Sequence, residues 1–86
     1  MGHDGKMPNL SPHRHDPALI ALGNAIRRVR KEKGMSQEQL ALLAGVDRSH
    51  LGRIERADNE IAFLLLVKIA RALDTTVEQL MCTAVL

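Results

Sequence analysis

Apolar positions recur at helical spacing along most of the chain. Leu19, Leu22, Ile26 and Val29 form one stripe, spaced for one face of an α-helix. Asp16-Pro17 precedes it: Asp suits the N-cap and Pro the first helical position. The first helix is expected to end near Lys33, with Gly34 as its C-terminal cap. Ser36 with Gln39 three residues on reads as a capping box. It opens a second helix over 36–44 that buries Leu40 and Leu43 and ends at Gly45. Asp47 caps a third helix, 47–56, which buries Leu51 and Ile54. Residues 57–60 are a polar connection. A fourth helix over 62–73 is apolar almost all round, with Phe63, Leu64, Leu65, Leu66, Val67, Ile69, Ala70 and Leu73. Thr76 with Gln79 makes a second capping box, opening a short fifth helix through Leu80 and Met81. No strand pattern or repeat interrupts the series. The expected class is all-α: five short helices with tight turns.

Residues 1–15 break the pattern. They hold Gly2, Gly5, Pro8, Pro12 and three histidines, and read as a flexible arm. The folded domain is then 16–86.

Composition narrows the function. The 86 residues support one domain. Phe63 is the only aromatic, so the core is aliphatic. A stacking platform for single-stranded nucleic acid needs aromatic side chains and is not expected. Cys82 is the only cysteine, which excludes an internal disulfide and a thiolate zinc site and fits a reducing cytoplasm. No apolar run approaches the roughly 18 residues of a membrane span, and the Met1 start lacks the apolar core of a signal peptide. His3 with His13-Arg14-His15 lacks a nearby carboxylate cluster and is a poor ligand set. No metal, cofactor or catalytic nucleophile–base pair is expected, and so no enzyme.

Charge is more informative in its distribution than in its net value of +2. Residues 26–56 carry eight cations (Arg27, Arg28, Arg30, Lys31, Lys33, Arg48, Arg53, Arg56) against four acids (Glu32, Glu38, Asp47, Glu55), a net +4. Residues 57–86 carry Lys68 and Arg71 against Asp58, Glu60, Asp74 and Glu78, a net −2. A basic end suits a polyanion, and an acidic end suits a protein surface. In the third helix, the face opposite Leu51 and Ile54 carries Ser49, Gly52, Arg53 and Arg56, flanked by Arg48 and His50. Arginine there can fork onto guanine or onto a phosphate. A mid-helix glycine costs roughly 0.5–1 kcal/mol relative to Ala. On an outward face it points to close approach of a partner to the backbone.

Residues 22–81 resemble the helix-turn-helix domain of the Cro/CI (Xre-type) regulators. The resemblance rests on Leu22, Ile26-Arg27 and Arg30, and on the run Gly34-Met35-Ser36-Gln37-Glu38-Gln39-Leu40-Ala41. Ala44-Gly45-Val46, Ile54-Glu55-Arg56 and Lys68-Ile69-Ala70-Arg71-Ala72-Leu73 complete it. It implies a five-helix, lambda repressor-like domain whose third helix enters the DNA major groove. It further implies that Gln37 bonds a phosphate and braces the third helix, and that Arg48, Ser49 and Arg53 read bases. His50 and Arg56 fall at phosphate-contact positions, beside Gly52. Arg30 and Glu55 fall where the family often joins the first and third helices by a salt bridge. The 57–62 connection departs from the family's usual Gly-x-x-Asn-Pro-Ser: it lacks the turn glycine, the proline and the serine cap. Asn59 is the residue expected to take a left-handed conformation there.

A helix this apolar has more greasy surface than a small monomer can bury. The expected outlet is a two-fold dimer contact through Leu64, Leu65, Val67, Val77, Leu80 and Met81, with Val85 and Leu86 at the tail. Two-fold symmetry would set two reading helices about one DNA turn, roughly 34 Å, apart on a pseudo-palindromic site. The expected function is sequence-specific duplex binding by a homodimeric regulator. The Asp47-Arg48-Ser49-His50-Leu51 start of the third helix, with no second domain, is most similar to controller proteins of restriction–modification systems. Phage-type repressors and antitoxins stay open. The alternative is an antitoxin-like module that docks a partner protein on the fourth helix.

Overall fold

The computed structural model describes residues 12–84, as five helices and no strand. They are α1 Pro17–Glu32, α2 Gln37–Ala44, α3 Arg48–Glu55, α4 Phe63–Ala72 and α5 Val77–Ala84. Residues 1–11 of the arm, including His3, and the tail residues Val85 and Leu86 lie outside the described residues.

Three helix starts follow the expected local chemistry, and the Asp47 cap does not. Asp16 caps α1, its side chain accepting from the Ala18 N–H at 2.9 Å. Ser36 and Gln39 form the full reciprocal capping box of α2, at 3.0 and 2.8 Å. Thr76 accepts from the Gln79 N–H at 3.1 Å. Asp47 holds the N-cap position of α3 but makes no side-chain cap bond. Ala62 stands at the N-cap of α4 and offers none either.

The first four helices end in one way. Each is followed by a left-handed residue, and the next N–H reaches back to a carbonyl five residues earlier. The left-handed residues are Gly34, Gly45, Ala57 and Asp74, with φ of 71°, 72°, 63° and 57°. The closing bonds run from Met35 to Arg30, Val46 to Ala41, Asp58 to Arg53 and Thr75 to Ala70. In the 57–62 connection the left-handed residue is therefore Ala57, not Asn59. The reason is positional: Ala57 directly follows the α3 C-cap, Arg56, where the closing bonds demand positive φ.

Ile26, Leu40, Leu51, Ile69, Leu73 and Leu80 are fully buried and form the centre of the core. Two apolar expectations change. Leu43 is 62% exposed; α2 instead buries Leu40, Ala41 and Ala44. At about 100° per residue, the buried arc centres near Ala44, leaving Leu43 about 100° off it. Leu80 has 0% exposure, because α5 packs this residue inward onto the core. It cannot serve a dimer contact. Phe63 and Leu64, at the start of α4, remain exposed.

Gly23 fixes the α1–α3 crossing. A Cβ there would stand 2.6 Å from the Glu55 carbonyl oxygen and 2.7 Å from that of Ile54. Only a hydrogen fits, so α1 approaches the backbone of α3 directly. The last turn of the expected arm is also ordered against the fold: residues 12–15 form a turn, and the His15 N–H donates to the Ala57 carbonyl at 2.7 Å.

Candidate nucleic-acid interface

Helix α3 is anchored from its inner face. Arg30 of α1 grips Glu55 through two bonds, Nε to Oε2 at 2.8 Å and Nη2 to Oε1 at 3.1 Å. The two side chains are 8% and 2% exposed. Arg30 Nη1 also donates to the Met35 carbonyl at 2.8 Å, tying the α1–α2 turn into the same group. Gln37 Nε2 donates to Glu55 Oε1 at 2.9 Å. One buried carboxylate thus joins α1, α2 and α3. A buried pair of this kind fixes orientation more than it adds net stability.

The outer face carries the candidate readers. Arg48 and Ser49 are exposed at the start of α3, and His50 and Arg53 are half-buried along it. Neither Arg48 nor Arg53 has an ion-pair partner among the described residues, so both guanidiniums are available to an anion or a base edge. Gly52 is not on the open face. It is buried, because two side chains fold over it. A Cβ at Gly52 would lie 3.1 Å from Arg56 Nη1 and 3.8 Å from Gln37 Oε1. The missing side chain makes room for Gln37 and Arg56 rather than for a partner's backbone.

Arg56 is exposed at the α3 C-cap. Its Nε donates to Asp58 Oδ2 at 3.0 Å, and His15 Nε2 lies 3.0 Å from Asp58 Oδ1. Partial desolvation pushes the Asp58 carboxyl up, but the hydrogen bonds and charges of Arg56 and His15 outweigh it and hold it below its ordinary value. Three residues that sequence reasoning did not single out shape this region: Gly23, His15 and Asp58. Gly23 left one local sign, a glycine beside Leu22 in a helical stripe. The His15–Asp58 contact spans 43 residues and left none.

Among the described residues no group of three or more His, Cys, Asp or Glu is placed to hold a metal ion. Cys82 is an exposed free thiol. Among the described residues no helix is long and apolar enough to cross a membrane.

Two helices, α2 and α3, joined by a glycine turn and held by a third, with cations on the outer face, define a helix-turn-helix unit. Residues 26–80 match the helix-turn-helix family, and the chain belongs to it, as a DNA-binding regulator of the Cro/CI (Xre) type. The control protein C.SmaI of Serratia marcescens is 35% identical over 60 residues, covering 70% of this chain and 71% of that protein. Among solved structures, the restriction-modification controller protein C.AhdI from Aeromonas hydrophila superposes with a TM-score of 0.71 at 40% identity. That match covers 72% of this chain and 94% of the other. The clp gene regulator ClgR from Corynebacterium glutamicum gives 0.77 at 31% identity, covering 79% and 72%.

Proposed function

We propose that this protein is a cytoplasmic, sequence-specific duplex-DNA regulator that acts as a homodimer on a pseudo-palindromic site. One observation carries the reading. The inner face of α3 is locked by Arg30, Glu55 and Gln37, while Arg48, Ser49 and Arg53 stand on its outer side, the two arginines without an ion-pair partner among the described residues. Arg48, Ser49 and Arg53 contact base edges; Gln37, His50 and Arg56 contact phosphates. The controller proteins among its relatives support a restriction–modification role. Selection of bound duplexes from a random pool tests the whole reading, because the recovered half-sites and their spacing report specificity and symmetry together. Arg53→Ala is expected to cost about 1–3 kcal/mol on the selected duplex and to relax sequence preference at one position. Equal wild-type affinity for every duplex would overturn specific readout.

The dimer contact we propose uses Leu64, Leu65 and Val67 of α4 with Val77 and Met81 of α5. Leu64 is 61% exposed beside an exposed Phe63, an apolar edge that a second copy would cover. Leu64→Lys is expected to shift the protein from dimer to monomer in light scattering without loss of helical circular dichroism. A wild-type monomer that co-purifies with a stoichiometric partner protein would instead favour a docking module.

A further inference from the structure

The end of α3 is held by the N-terminal turn. Asp58 bridges two side chains, with Arg56 Nε on one oxygen and His15 Nε2 on the other, each at 3.0 Å. The bond from the His15 N–H to the Ala57 carbonyl, 2.7 Å, closes the same turn from the backbone. His13 adds a contact to Glu60 at 3.8 Å. His15 has a left-handed φ of 64°. Residues with a Cβ take that conformation only where surrounding contacts impose it. The segment 12–15 and the loop after α3 thus hold each other.

The same contacts aim a side chain. An unheld arginine samples many rotamers, and ordering it costs entropy. Here Nε is committed to Asp58, and the guanidinium lies back across Gly52 next to Gln37. Gly52 has no side chain in the way, and both terminal amino groups remain for an anion. We propose that Asp58, steadied by His15, is a positioning residue that holds Arg56 across Gly52 for contact with a DNA phosphate. This rests on α3 being the duplex-binding surface.

Simple electrostatics predicts the opposite sign. A carboxylate near DNA repels phosphates, so its removal alone would strengthen binding. The test is therefore Asp58→Asn in the full chain, titrated against the pool-selected duplex over a salt series, with melting curves to verify each fold. Despite the lost negative charge, Asp58→Asn is expected to weaken binding about two- to fivefold. Arg56→Ala weakens it too and lowers the salt slope by about one. Asp58→Asn added to Arg56→Ala does no further harm, because the two act through one contact. His15→Ala, which leaves the α3 surface intact, weakens binding in the same direction by less. Tighter binding by Asp58→Asn, or an equal loss in the Arg56→Ala background, overturns the positioning role and leaves duplex binding standing. A wild-type chain with no salt-dependent duplex binding overturns both.

Discussion

Glu55→Ala is expected to destabilise the protein by about 3–5 kcal/mol, the cost of removing one partner from a buried ion pair. The change strands three donors at once. Arg30 keeps only the Met35 carbonyl, and the bond from Gln37 Nε2 is lost. For a domain of this size the loss lowers Tm by more than about 12 °C, measurable by thermal circular dichroism. A loss under about 1 kcal/mol would mean that water satisfies Arg30 and that the pair is not sealed. The paired replacement Arg30→Met with Glu55→Leu separates stability from orientation. Well-packed apolar substitutes for a buried pair are often neutral or stabilising. That variant should melt near the wild type yet bind its duplex poorly, since nothing polar then ties Gln37 to α3.

Gly23→Ala is the second large effect. Helix propensity alone would favour alanine by about 1 kcal/mol. The added methyl, however, meets two backbone carbonyl oxygens at 2.6 and 2.7 Å. Backbone cannot swing aside as a side-chain tip can, so α1 and α3 must separate. The net loss is expected near the upper end of the roughly 1–3 kcal/mol typical of overpacked cores, read from the urea midpoint at constant slope. Separation also moves the outer face of α3, so specific affinity should fall more than non-specific affinity. An alanine variant as stable as the wild type would show that the crossing has slack.

Much of this fold was legible because its signals are local. Ser36 with Gln39, Asp16-Pro17, Gly34 and Gly45 act within one helical turn, and their chemistry does not depend on the rest of the chain. Leu43 is exposed against expectation because three-residue spacing from Leu40 does not say which side of the stripe meets a neighbour. Propensity favours Asn59, but the helix end fixes where positive φ is needed, and alanine occupies that place. Leu80 is buried against expectation because a short apolar helix does not reveal which of its residues the core takes. Gly52 faces its own domain's side chains, which only tertiary packing could place. Arg30 and Glu55, 25 residues apart, were reachable only through family resemblance. The outward placement of Ser49 and Arg53, flanked by Arg48, was legible from one face of one helix. What holds Arg56 was not, since His15 and Asp58 come together only in three dimensions.

The Gly23 crossing also bears on how such a protein could diversify. Polar and close backbone contacts that set the height and tilt of α3 lie behind it, in Gly23, Arg30, Gln37 and Glu55. Arg48, Ser49 and Arg53 take no part in them. Substitutions at those three positions can therefore accumulate without repacking the core, and on the proposed reading they would change the target while the chassis stays the same.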